Sequence, residues 1–322
     1  MKKVAISAGL DVSLVRRSDA AIILGFHHID EHDGSMLAQR VAPVNPGRFE
    51  EILGYLQSLG FSFVSLDEIV NCTDCSKKAA ITFDDGFRSV YVNAFPILKK
   101  FQAPFTIFLT TSTLGARRLL WLHRIYAAVD RLAREDVHRI MERCSMKVES
   151  GISLKDALGT LVCQESIDRL LLFADELAAE ARLTASDEAY IAERLYLRPD
   201  EVVEMIQDGM TIGAHGHNHW CLETLDQSLT EAEIVKCKEK IDEAFGVQVV
   251  HYALPYGRSN PYIRSVLEWL DFKSLCSAES GLVRTNSNFC SLPRLMVGTD
   301  TEVLDIAGQI TLLHLFRLVT GR

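Results

Sequence analysis

Residues 79–87 read AAITFDDGF, and the architecture of the chain follows from that nonapeptide. Ala79 to Phe83 is an apolar run of strand length that stops at two adjacent carboxylates and a glycine. A run without polar alternation suits a parallel strand covered on both faces. Working outward, the pattern recurs at Ala21 to Phe26, Phe61 to Ser65, Pro104 to Thr110, Met210 to Ala214 and Val249 to Ala253. The stretches between carry helical spacing, as with Phe49, Ile52, Leu53 and Leu56 inside Pro46 to Leu59. Strands alternating with helices predict an α/β fold, a parallel strand–helix barrel with the helices outside. The alternation breaks from about 117 to 194, where the chain is rich in Leu, Ala, Glu and Arg and has no strand-like run. The simplest organisation is a single catalytic domain over 1–322 with a helical insertion at about 117–194, far longer than an ordinary loop. Its stripe Leu119, Leu122, Ile125, Tyr126 and Val129 reads as helix packing. The insertion is expected to cap the barrel rim and shape access to it.

Composition narrows the function. Of 322 residues 48% are hydrophobic, enough for a sizeable core and against disorder. A net charge of −9 argues against a nucleic-acid partner, whose phosphates need a basic face. Eight cysteines in a chain this long form no disulfide scaffold. Cys144, Cys163, Cys237 and Cys276 read as small buried hydrophobes. Cys72 and Cys75 have CxxC spacing, but no second pair follows to complete a structural zinc site. Free thiols suit a reducing compartment. Asp11, Arg16, Arg17 and Asp19 interrupt any signal-peptide core, and no apolar run reaches the ~18 residues of a membrane span. The expected location is the cytoplasm, with Ile310 to Val319 as a stretch able to touch the inner membrane face.

Barrel chemistry sits just beyond the C-terminal ends of the strands. Four predicted strands end there in reactive or turn-forming residues: His27 and His28; Asp84, Asp85 and Gly86; His215, His217 and His219; Pro255, Tyr256 and Gly257. One carboxylate and two neutral imidazoles make a three-ligand site with an open position, as catalytic zinc requires. Spacing of i, i+4 lets His215 and His219 converge, while His217 points elsewhere. The other carboxylate is left free to act as general base. Taken singly, Asp-Asp-Gly is a common turn and HxxxH a common accident. Their conjunction at strand ends argues for one site.

Three segments carry a resemblance: ITFDDGFRS (81–89), IGAHGHNHWCL (212–222) and YALPYG (252–257). In order, they resemble the motifs of the polysaccharide deacetylase family, also called the NodB-homology domain or carbohydrate esterase family 4. The resemblance implies a distorted (β/α)7-type barrel that hydrolyses acetamides of amino sugars at zinc or another divalent ion such as Co2+, Ni2+ or Mn2+. It implies Asp84 as general base, and Asp85, His215 and His219 as metal ligands. It further implies a backbone N–H at Tyr256 facing the oxyanion. The family also needs a histidine acid after an apolar strand. ITLLH, ending at His314, fits superficially. Yet FEEILGYLQSLGFSFVSLDEI (49–69) resembles the segment that trails this strand in the family, and AIILGFHHI (21–29) precedes it. The chain therefore resembles the circularly permuted branch, with His27 as the acid and His314 inside an amphipathic helix.

Two departures stand out. Ala253 occupies the place where the family often has Arg paired with the catalytic Asp, and Arg294 in LPRL is a candidate to supply that charge. Gly216 replaces the usual Ser or Thr after the first metal histidine. The expected substrate is an N-acetylated glycan or a lipid- or nucleotide-linked amino sugar. The rivals are an amidase on a non-sugar amide and a catalytically inert sugar-binding protein.

Overall fold

A computed structural model describes residues 15, 19–146, 153–284 and 291–320. Its frame is a parallel sheet of eight strands: β1 (Ile22–Phe26), β2 (Ser62–Phe63), β3 (Lys78–Phe83), β4 (Phe105–Leu109), β5 (Thr211–Ala214), β6 (His251–Ala253), β7 (Ser274–Cys276) and β8 (Leu295–Met296). The main path runs β7-β6-β5-β4-β3-β1-β8, seven strands, with β2 pairing off it onto β3. The two ends of that path meet at an isolated parallel bridge, Cys276 to Leu292, so the sheet curls into an open barrel. Helices including Pro46–Ser58, Gln227–Phe245 and Pro261–Trp269 present buried faces to the sheet. No helix among the described residues is long and apolar enough to cross a membrane.

Register decides what faces what. Phe26 pairs with Phe83 and Leu109 with Ala214, so the residues after these strands emerge on one rim. Asp84 N–H donates to the Phe26 carbonyl, which sets His27 beside the Asp84–Asp85 pair. The core beneath is apolar, with Phe26, Phe49 and Phe83 in mutual ring contact.

Between β4 and β5 the described residues from Trp121 to Leu195 form five helices, which build a second apolar cluster including Trp121, Ile125, Phe173 and Leu177, joined by Phe87 and Trp220. The first of these helices turns Leu122 and Tyr126 toward the barrel rim as well as into this cluster. The C-terminal segment expected to be helical is the helix Val303–Thr320, and it contains His314. Cys72 and Cys75 correct the expectation of free thiols, since they are joined in a disulfide. The span of three residues brings the two sulfurs together without any other part of the fold.

Candidate metal centre

Asp85, His215 and His219 each offer one ligand atom, and the three atoms lie within 4.8 Å of one another, all buried. The Asp85 Oδ1 stands 3.1 Å from His219 Nε2 and 3.5 Å from His215 Nε2. Yet that oxygen is sealed from solvent and makes no directed hydrogen bond. A buried carboxylate oxygen left in that state is costly unless a cation completes it. The residues fit a divalent ion: mixed N/O donors, converging on one point, with the third side open to a cavity.

Local backbone puts them there. Asp85 has φ 72° and His219 φ 57°, in the left-handed region that non-glycine residues enter at about 1–3 kcal/mol each. Such positions persist where the surroundings hold them, and they cluster at functional sites. The outer partners fix the rings. The His215 Nδ1 is 2.8 Å from the Ala253 carbonyl, which can only accept, so Nδ1 carries the proton and Nε2 offers its lone pair. The His219 Nδ1 lies 3.2 Å from the Tyr256 hydroxyl. Burial holds the His215 pKa down, at about 4, despite the nearby Asp84. Burial also opposes a charged His219, but the carboxylates around it, Asp85 foremost and then Asp84 and Glu233, raise that pKa.

Asp84 faces the other way. It is 2% exposed, and Arg294 grips it in two bonds, Nη1 to Oδ1 at 2.7 Å and Nη2 to Oδ2 at 2.8 Å. Burial alone would raise its pKa. The guanidinium and the neighbouring imidazoles of His215 and His27 reverse this and hold the carboxyl ionised. Arg294 is therefore the charge that Ala253 does not supply. Ala253 instead contributes its carbonyl to His215. Gly216 has its own reason: φ is +81°, and a Cβ there would stand 3.2 Å from Glu233 Oε1, which accepts the Asn218 N–H.

These groups surround a cavity of about 290 Å³ that His27 and Tyr256 also line. His217 turns away, its Nδ1 2.9 Å from Thr111 Oγ1. His28 bonds Ser89 through Nδ1 and lies 3.5 Å from Asp30 through Nε2. The cavity is also lined by His123, which no sequence motif marks, and by Tyr126, whose helical spacing signals packing alone. The helix Trp121–Val129 delivers both, and no local motif marks them.

His123 makes the apoprotein acid-sensitive. Burial lowers its pKa from 6.5 to about 4, against the pull of Asp85. The unfolded chain therefore binds a proton that the folded chain refuses between those values. The stabilisation is complete above pH 6.5 and is lost as pH falls toward 4, worth about 3 kcal/mol in all. Urea unfolding of chelator-treated protein from pH 7 to 4.5 should show a shallower decline in His123→Phe than in wild type. Identical slopes would dismiss His123 as a contributor.

A family model described as polysaccharide deacetylase matches residues 72–150 and 165–275. The match takes in most of the helical segment 117–194 and skips 151–164. A poly-beta-1,6-N-acetyl-D-glucosamine N-deacetylase of Staphylococcus epidermidis is 28% identical over 112 residues, 30% of this chain and 38% of that protein. The chain thus matches well under half the length of that relative. Among solved structures, the Streptococcus pyogenes deacetylase PplD in complex with acetate superposes with TM-score 0.60 at 19% identity, covering 90% of this chain and 98% of that one. IcaB from Ammonifex degensii gives TM-score 0.59 at 17% identity, covering 92% and 98%. At these identities the superpositions speak for the fold. His27 and Arg294 lie outside the family match, one on each side of it.

Proposed function

This chain belongs to the polysaccharide deacetylase family, and we propose that it is a metal-dependent hydrolase removing N-acetyl groups from amino sugars of a glycan or glycan precursor. One observation carries the reading: a buried Asp85, His215 and His219 cluster stands beside a carboxylate, Asp84, that is held ionised and outside the cluster. Asp85, His215 and His219 would hold a divalent ion, which when bound polarises a carbonyl oxygen and acidifies water. Asp84 accepts the proton of the attacking water. It can do so while gripped by Arg294, because each carboxylate oxygen keeps a second lone pair. The Tyr256 backbone, at φ 59°, presents its N–H to the oxyanion that develops on the acetyl carbonyl. His27, which lines the same cavity, protonates the sugar nitrogen as acetate departs. The helix Trp121–Val129 walls the pocket and shapes what enters. The permuted strand order belongs to the same proposal; its support is that β1, from the front of the chain, pairs directly with β3.

The test is acetate release by purified protein, with metal content measured by mass spectrometry. Oligomers of N-acetylglucosamine form one arm. Lipid- and nucleotide-linked N-acetyl amino sugars form the second, included because a cytoplasmic enzyme would meet those. Chelation should abolish release, and Zn2+, Co2+, Ni2+ or Mn2+ should restore it. Hydrolysis confined to non-sugar amides would favour the amidase reading. Sugar binding with no hydrolysis of any amide would leave an inert binding protein.

A further inference from the structure

We propose that His123 is a substrate-binding residue of this pocket, presenting Nε2–H as a fixed, uncharged hydrogen-bond donor to an oxygen of the sugar. The inference begins with one buried hydroxyl. The Tyr196 side chain is 2% exposed, and its oxygen accepts the Leu120 N–H at 2.9 Å. The same oxygen lies 2.7 Å from His123 Nδ1. A phenol has one proton to give, and among the described residues Nδ1 is the acceptor within reach. Were Nδ1 the donor instead, the hydroxyl proton would be buried without an acceptor, which folded proteins avoid. Tyr196 therefore donates to Nδ1, and the neutral ring keeps its proton on Nε2.

Position gives that proton a use. His123 is 4% exposed, yet it lines the cavity that Asp84, Asp85, His215 and His219 also line. Nε2 has no hydrogen-bond partner among the described residues. Phe87, Tyr196 and Tyr126 surround the ring at centroid distances of 5.4, 5.6 and 6.4 Å, which limits its rotation. Burial keeps the ring neutral at physiological pH. A neutral N–H without a facing lone pair takes a hydroxyl, ether or carbonyl oxygen. It offers nothing to an ammonium group, so it favours the acetylated sugar's oxygens and gives no hold to a protonated product amine. That chemistry also separates it from a general base, which would need a lone pair at Nε2.

The identity of the ligand rests on the deacetylase reading; the tautomer does not. The experiment therefore has two readouts. In protein labelled with 15N-histidine, two-bond 1H–15N correlations report the tautomer, with the His123 signals assigned from their loss in His123→Gln. The expected pattern is neutral Nε2–H at pH 7, with the Nε2 signal moving on titration with N-acetylglucosamine oligomers. In kinetics, His123→Asn keeps an acceptor for Tyr196 but is too short to place a donor at the Nε2 position. It should raise KM roughly three- to tenfold, the loss of one neutral hydrogen bond, with kcat within about twofold. His123→Gln returns an N–H near the Nε2 position and should recover most of the affinity, and the pH profile should not move in either variant. An Nδ1–H tautomer, a silent Nε2 signal under saturating sugar, or an unchanged KM in His123→Asn overturns the proposal. If the wild type binds the oligomers and moves the Nε2 signal but releases no acetate, the deacetylase reading fails and this one stands.

Discussion

Asp84→Asn is expected to retain metal at wild-type stoichiometry and to lose about 10²–10⁴-fold in turnover, the range a positioned general base contributes. The substitution keeps the shape of the side chain and leaves Asp85, His215 and His219 untouched. What goes is the negative charge and the basic lone pairs aimed at the attacking water. A second cost follows from Arg294. Its two guanidinium nitrogens now bond two carboxylate oxygens at 2.7 and 2.8 Å, and an amide offers one oxygen and a competing N–H. Arg294 is 1% exposed, so half of a buried charge pair is left without its partner. Breaking such pairs typically costs about 3–5 kcal/mol, and the variant should melt lower as well as turn over slowly. Metal content, turnover and melting temperature measured on one preparation distinguish the effects. Wild-type turnover in Asp84→Asn would remove the general-base role, and metal loss equal to that of a ligand variant would place Asp84 among the ligands.

His215→Ala should abolish both metal and turnover. Outer partners of a metal histidine usually cost 10–100-fold in affinity when removed, and deleting the ligand itself exceeds that. His215 is suited to the task because burial holds its pKa at about 4, leaving the imidazole neutral and its Nε2 free at working pH. The remaining pair, Asp85 and His219, offers one carboxylate and one imidazole, too few for a catalytic ion. The fold should survive, since the one hydrogen bond lost with the side chain is that to the Ala253 carbonyl, and Arg294 still pairs with Asp84. The discriminating measurement is the melting temperature with and without added Zn2+. Wild type should gain about 2.7 kcal/mol at a free metal concentration 100 times Kd, and His215→Ala should gain nothing. Full metal content in dialysed His215→Ala would mean the ion, if any, sits elsewhere.

Much of this centre was legible in the sequence, for local reasons. Asp84 and Asp85 follow a strand directly, and His215 and His219 do the same with a spacing that allows convergence. Strand length, apolar run and rim position all depend on near neighbours in the chain, so a parallel barrel with chemistry at the strand ends could be read before any contact was seen. His27 came from the same logic, and register then set it beside Asp84.

Pairings across the chain were not legible. Arg294 and Asp84 are 210 residues apart, and LPRL alone made Arg294 no more than a candidate. The hydroxyl of Tyr256 against His219 and the turn of His123 into the pocket carry no distinguishing pattern either. A helical stripe says which face is apolar but not which neighbour that face meets, so Tyr126 read as packing. The alternation of strands and helices, together with the residue types at strand ends, sufficed for the fold and the metal-ligand candidates, because both rest on short-range periodicity. Tertiary structure alone decided which charge ionises Asp84 and which face of the Trp121–Val129 helix closes the pocket. Those depend on how segments far apart in the chain pack, and low-dielectric contacts of that kind leave no trace in local spacing.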